Sequence, residues 1–487
     1  MWSFIISVCL LVAGYFLYGT FVEKVFQPDV QRYTPAISKR DGVDFVPMPS
    51  WKVFMIQFLN IAGTGPIFGA IMGAKFGPSC YLWIVFGSIF AGAFHDYMTG
   101  MLSIRSGGMS IPNIVGHILG KSAKRLLLIF SVALLLLVGV VFVYSPAMIL
   151  SDIVGKNNMM SLMIWIIVVF LYYVIATLLP VDKVIGRIYP LFAFALIFMA
   201  VGLMIGLIVK WPAIPELWDG LQNRGPSVGM NGQNIFPCLF ITIACGAISG
   251  FHATQTPIMA RCLKNEKMGR PVFYGAMITE GLVALVWASV SSYFFFAGGA
   301  AEVGSEMTAA APVIVTDVST NWLGVFGGIL AVLGVVAAPI TSGDTAFRSA
   351  RLIIADALHL DQKRKRNRLF IALPLFAAAF VMLHYYVADE NGFNILWRYF
   401  GWANQSLATI ILWTIAVYLR CKRKKGYFLI ALIPALFMTV VVCSYICMEK
   451  IGFNLPLTIS VLIGCLISAF CGFMFFRGKY RNFDIEI

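Results

Sequence analysis

Apolar runs of about twenty residues recur from one end of the chain to the other, separated by short polar loops. Runs of that length cross a bilayer as helices. The pattern predicts about thirteen such helices, near 3–19, 51–74, 80–104, 124–151, 159–179, 188–210, 235–258, 272–297, 322–342, 368–387, 393–419, 427–448 and 455–476. The first run has no Lys or Arg ahead of it and no small-residue cleavage site, so it reads as a retained helix rather than a signal peptide. No polar block of soluble-domain size intervenes. The expectation is a single all-α integral membrane domain.

Three runs are interrupted. In QFLNIAGTGPIFGA (57–70), Gly63 and Gly65 loosen the helix, and Pro66 leaves the carbonyl of Ala62 without its helical donor. In CGAISGFHATQTP (245–257), Gly246 and Gly250 weaken the helix and Pro257 does the same to Ala253. Unpaired backbone in hydrocarbon costs several kcal/mol, so such breaks survive against protein, water or an ion. In APITSGDTAFRSAR (338–351), Pro339 frees the carbonyl of Val335, and Thr341, Ser342 and Asp344 follow; the helix is expected to end near 342.

Setting the first helix aside, the next ten divide into two fives, 51–210 and 235–419, each opened by a broken helix. An odd count per half inverts the second half, which is the plan of inverted-repeat transporters. The remaining parts are 1–50, the first helix with its loop, and 427–487, two accessory helices and a tail.

Composition agrees with a membrane location: 60% of residues are hydrophobic, 12% are charged, and the mean hydropathy is +0.86. The net charge of +14 comes from Lys and Arg gathered in alternate loops, such as QKRKRNR (362–368) and RCKRKK (420–425). That alternation is the positive-inside pattern; it puts the N-terminus outside and the C-terminus in the cytoplasm, facing lipid rather than nucleic acid. The ten cysteines are scattered without a paired metal or disulfide framework and read as free thiols.

Ionisable groups inside the apolar runs mark function. His95 and Asp96 lie roughly 12 Å from the cytoplasmic end of their helix, and Glu280 lies roughly 12 Å into its own, counting 1.5 Å per residue. Groups at matched depth are placed to pair or to pass a proton. A bond locking the two helices is the structural alternative. Gln57, Asn60 and Gln255 flank the breaks with amides, and His252 lies in the second break facing either substrate or a freed carbonyl. Arg398, near the outer face, reads as a snorkelling residue.

Taken together, QFLNIAGTGPIFGA, FHDYMTG followed by SIRSGG, SGFHATQTPIMAR, ITEGLVALVWA, PITSGDTAFRSARLI and RYFGWANQSLA resemble the carbon starvation protein A family, over most of 51–419. The resemblance implies a bacterial inner-membrane secondary transporter of the amino acid–polyamine–organocation superfamily, with a five-plus-five, LeuT-like core. It also implies peptide uptake when carbon is scarce, while a related branch carries pyruvate with protons. Better-known members are longer, with segments outside the core. The family's polar motif positions fall on Asn60, Gly63, Thr64, Gly65, His95, Asp96, Ser249, His252, Glu280, Thr341, Ser342 and Asp344. Together with Gly250 and Ala62 at the breaks, the expectation sorts them into a substrate group (Asn60, Gly63, Thr64, Gly65, Ser249, Gly250, His252), a proton group (His95, Asp96, Glu280) and a cation site (Ala62, Thr341, Ser342, Asp344). In this expectation the amides of a half-helix N-terminus hold a small carboxylate-bearing solute, and a proton, or alternatively sodium, drives transport. No organic cofactor and no bound metal are expected. An intramembrane enzyme is disfavoured because one His–Asp pair lacks companion ligands or a nucleophile. A receptor is disfavoured because neither terminus is long enough for an output domain.

Overall fold

The computed structural model describes residues 1–154, 158–178, 181–230, 232–362, 364–389, 392–423 and 426–478, and all their regular structure is helical. The main helices are α1 Trp2–Phe16, α2 Ser50–Ala62, α3 Ala93–Arg105, α4 Lys121–Ile153, α5 Met159–Leu178, α6 Val181–Lys210 and α7 Gly250–Ala260. They continue with α8 Gly275–Phe296, α9 Ala311–Leu358, α10 Lys365–Val387, α11 Gly392–Lys422, α12 Leu429–Met448 and α13 Leu457–Arg477. Among the described residues, ten helical stretches are long and apolar enough to cross a membrane, or eleven if the bent pair Ser50–Ala62 and Gly65–Ala74 is one span. Of the thirteen runs expected, eleven meet that length and apolarity when the bent pair is counted as one span. The stretches that fall outside are 79–105, which carries His95 and Asp96, and 235–260, which is split.

The first break falls where the sequence places it. Gly63, with φ +39 and ψ −143, ends α2, and the chain resumes as a π-helical turn over Gly65–Gly69 and then Ala70–Ala74, bent by 50°. Only glycine holds that backbone without strain. Pro66 sits in the first turn of the second piece, where its missing N–H costs least.

The second break differs from expectation. The chain is irregular over 243–249, between Phe240–Thr242 and α7. Pro257 lies inside continuous α7, because the Thr256 hydroxyl donates to the Ala253 carbonyl (3.2 Å) that the proline leaves open. A third correction concerns the helix expected to stop near 342. It continues to Leu358 through Pro339, and its non-helical point is Gly324 (φ +67). The Tyr173 hydroxyl donates to the carbonyl of Pro339 itself (3.0 Å) and to that of Phe142 (2.7 Å), tying this stretch of α9 to α4 and α5.

The broken helices and α8 form the centre. α2 packs against α6, α7, α8 and α9, and α7 against α3 and α11. α9 lies along α4 and α6, while α12 and α13 pair at the edge beside α11. α8 is buried almost along its length, whereas α13 leaves most of its apolar side chains outward, as a lipid-facing helix does.

Candidate functional site

The two breaks touch. A Cβ added to Gly65 would lie 2.2 Å from Cys245 Cβ, and one added to Gly246 would lie 3.6 Å from Pro66 Cα. Around this contact the structure gathers a buried ionisable group from three helices. Asp96 on α3 has Oδ1 2.8 Å from His95 Nδ1 and Oδ2 2.8 Å from His252 Nδ1 on α7. His252 Nε2 in turn lies 3.3 Å from Glu280 Oε2 on α8, an ion-pair separation without the alignment of a hydrogen bond. All four side chains are fully buried.

The chemistry of that chain is constrained. A carboxylate only accepts, so both imidazoles present Nδ1–H to Asp96. His252 Nε2 then faces Glu280 with either a lone pair or a proton. A lone pair opposite an ionised carboxylate repels, so one proton belongs between His252 and Glu280. The arrangement extends the expected proton group: His95, Asp96 and Glu280 are brought together, and His252, expected against substrate or carbonyl, is the piece that joins them.

The polar groups of the second break are satisfied by neighbours. Trp83 Nε1 donates to the Ile243 carbonyl (3.0 Å) and Ser88 Oγ to that of Gly246 (2.8 Å). Asn404 Oδ1 on α11 accepts from the Phe251 amide (2.7 Å) and from Ser249 Oγ (3.0 Å), while Asn404 Nδ2 donates to Cys245 Sγ (3.7 Å). Asn404 therefore stands at the half-helix N-terminus where a solute carboxylate is expected. Gly250 is pressed against α11, and a Cβ there would meet Asn404 O at 2.4 Å. Gln255 is engaged too, with Nε2 donating to Thr254 Oγ1 and Oε1 near Ser349 Oγ.

The first break differs. Gln57, Asn60 and Thr64, at i, i+3 and i+7, are fully buried. Both amide atoms of Gln57 and of Asn60, and the Thr64 hydroxyl, have no hydrogen-bond partner among the described residues. The backbone carbonyl of Leu59 accepts from Ser342 Oγ (2.9 Å).

The expected cation site is only partly assembled. Ser342 reaches the first break, but Thr341 Oγ1 donates back to Ala337 and Ala338 (2.9 Å each). Asp344 accepts from the Tyr189 hydroxyl (2.8 Å) and lies 3.8 Å from Arg348. Arg398 pairs at 3.4 Å with Glu449, consistent with a side chain turned to the rim. Sequence reasoning missed Asn404; the signal available was an Asn–Gln pair inside an apolar helix. It also missed that Cys245 Sγ, His252 and Glu280 each offer a metal-ligand atom within 4.8 Å of one another.

A polar cavity of about 650 Å³ lies beyond the C-terminal end of α7, lined among others by Asp44, Asn113, Arg261, Asp356, His359 and Gln362. Near it, Glu266 receives Arg105 through two contacts (3.2 and 3.0 Å) and accepts the Asp29 amide (2.8 Å).

Comparison with known proteins adds the following. The family described as carbon starvation protein CstA matches residues 1–153, 140–324 and 310–444. An uncharacterized membrane protein of Haemophilus influenzae is 45% identical, over 61% of this chain and 91% of that one. The peptide transporter CstA of Escherichia coli is 26% identical, over 90% of this chain and 80% of that one. The pyruvate/proton symporter BtsT of E. coli is 29% identical over 59% of this chain and 48% of its own length. A mutant of the manganese transporter of Eremococcus coleocola shares the fold, with a TM-score of 0.56, 14% identity, and coverage of 90% of this chain and 96% of that one.

Proposed function

This chain belongs to the carbon starvation protein CstA family, and we propose that it is a secondary transporter that takes up peptides together with protons. Transport as such is the function its named relatives share, and none of those named is an enzyme.

The observation that carries the reading is the set of unpartnered buried amides at the first break. Gln57 and Asn60 together offer two carbonyl acceptors and two NH₂ donors beside the Thr64 hydroxyl. Peptide bonds present the complementary groups, and leaving each buried polar atom alone costs about 1–3 kcal/mol. A solute that pairs with them recovers that cost. The substrate therefore binds on the α2 side of the contact between the breaks, with Asn60, Gly63, Thr64 and Gly65, while Ser249 and Gly250 hold the second break closed. Pyruvate is the second reading, favoured by the BtsT relative. It is smaller and leaves most of these amides unused.

His252 and Glu280 carry the coupling proton, with Asp96 and His95 fixing the His252 ring. In this scheme the repeats 51–210 and 235–419 rock against each other as a five-plus-five, LeuT-like core of thirteen spans in the amino acid–polyamine–organocation plan. The Arg105–Glu266 contact closes the cytoplasmic end, and the 650 Å³ cavity is the exit vestibule. The basic loops place the C-terminus in the cytoplasm of a bacterial inner membrane. Sodium is the weaker coupling ion because Thr341 and Asp344 are already engaged.

The test is uptake by purified protein in liposomes under an inward proton gradient without sodium, with labelled dipeptide and labelled pyruvate in parallel. Concentrative dipeptide uptake, lost in Glu280→Gln, is expected. Pyruvate uptake alone overturns the substrate, and unchanged pH dependence in Glu280→Gln overturns the proton role.

A further inference from the structure

We propose that Cys245, His252 and Glu280 form a binding site for a divalent transition-metal ion of the zinc class, and that an ion bound there arrests transport. The second clause rests on the transport reading above; the site itself does not.

Geometry comes first. One ligand atom from each residue lies within 4.8 Å of the others, all buried. A tetrahedral zinc with bonds of about 2.0–2.3 Å has ligand-to-ligand edges of about 3.3–3.6 Å. The 3.3 Å between His252 Nε2 and Glu280 Oε2 already matches such an edge. The sulfur belongs to the irregular segment 243–249, which is free of helical constraint and can close the remaining distance.

The surroundings are those of a metal ligand set. His252 gives its Nδ1–H to Asp96 at 2.8 Å, which leaves the Nε2 lone pair for an ion; carboxylate–histidine–metal triads orient their ring this way. Among the described residues, His252 Nε2 and both Glu280 oxygens lack hydrogen-bond partners although fully buried. Asn404 Nδ2 donates to the sulfur at 3.7 Å, as donors to a bound thiolate do, and Ser249 Oγ at 3.5 Å stands near a fourth position. Thiol, imidazole and carboxylate together suit zinc or cobalt rather than magnesium or calcium. On binding, the thiol gives its proton to water. An ion here takes the nitrogen and the carboxylate between which the coupling proton sits, and it pins the second break to α8.

The experiment titrates Co²⁺ into purified protein without substrate and follows absorption. One equivalent is expected to give tetrahedral visible bands and a near-ultraviolet sulfur-to-cobalt band. Cys245→Ser is expected to lose the near-ultraviolet band, and Glu280→Gln to weaken binding at least tenfold. Melting curves confirm that each variant is folded. No sulfur band in the wild type, or the same band in folded Cys245→Ser, overturns the site. In liposomes, micromolar Zn²⁺ is expected to inhibit dipeptide uptake by the wild type and to spare Cys245→Ser, each relative to its own uptake. A sulfur band without inhibition overturns the arrest alone, and absent uptake in every protein counts against the transport reading while the spectrum still decides the site.

Discussion

At the break before α7, the carbonyls of Ile243 and Gly246, the Cys245 thiol, the Ser249 hydroxyl and the Phe251 amide all have protein partners. At the break after α2, a few ångströms away, the side-chain polar atoms of Gln57, Asn60 and Thr64 have none among the described residues. Sequence treats the two alike, since both combine glycine, hydroxyl residues and a nearby proline. Their difference lies in what packs around them. The backbone of the second break is bonded like a joint, held by α11 and the helical segment 79–92, although His252 Nε2 beside it has no partner among the described residues. A break that keeps unsatisfied amides, at about 1–3 kcal/mol each, has groups to offer a solute, and the proposed function places the substrate there. The buried His95–Asp96–His252–Glu280 group lies beside both, and in the proposed function it links occupation of the first break to the coupling proton.

Substitutions at the two breaks separate these roles. The largest effect belongs to Gly250→Ala, whose Cβ would meet backbone atoms of Asn404 and Ala408 at 2.4 and 2.5 Å. A loss of roughly 3 kcal/mol is expected, read as a fall in thermal stability. Asn404→Ala strips partners from the Phe251 amide and Ser249 in an apolar setting and should cost about 2–3 kcal/mol. Transport per folded molecule should fall less than stability does. Asn60→Ala should do the reverse: uptake drops roughly 100-fold, equivalent to two hydrogen bonds of about 1.4 kcal/mol, while the melting temperature holds or rises. Equal damage to stability and uptake in both variants would erase the distinction between joint and site. Ser342→Ala removes one hydrogen bond to the Leu59 carbonyl and should cost about 1 kcal/mol.

The smallest effect is a control outside both breaks. The Glu216 carboxylate accepts the Trp2 and Ser3 amides (2.9 and 2.7 Å) and the Met1 amino group, capping α1. Burial pushes its pKa up, but those donors outweigh burial and hold it below the usual carboxylate value. The sign follows: the unfolded chain takes up the proton first, so the stabilisation is full above the ordinary glutamate range and is lost as pH falls through the folded value. Glu216→Ala should cost about 1 kcal/mol at neutral pH and almost nothing in strong acid.

Much of this was legible in the sequence. Apolar runs mark the helices, GTGP marks the first break to the residue, and the matched depth of His95, Asp96 and Glu280 puts them in one buried cluster, joined through His252 rather than directly. Local rules failed where a partner comes from far along the chain. Pro257 looks like a helix breaker until Thr256 is seen to serve Ala253. Ser249 and Gly250 look open until Asn404, more than 150 residues later, is found at the helix end. No periodicity reports such a cap. The role of His252 was likewise hidden, because its partners lie on two other helices.

The central claim is that the first break holds the substrate, and equilibrium binding of a labelled dipeptide tests it most directly. Purified wild type, Asn60→Ala and Asn404→Ala would be compared at equal amounts of folded protein. Saturable binding is predicted for the wild type, weakened roughly 100-fold in Asn60→Ala and little changed in folded Asn404→Ala. Wild-type affinity in Asn60→Ala would contradict the account.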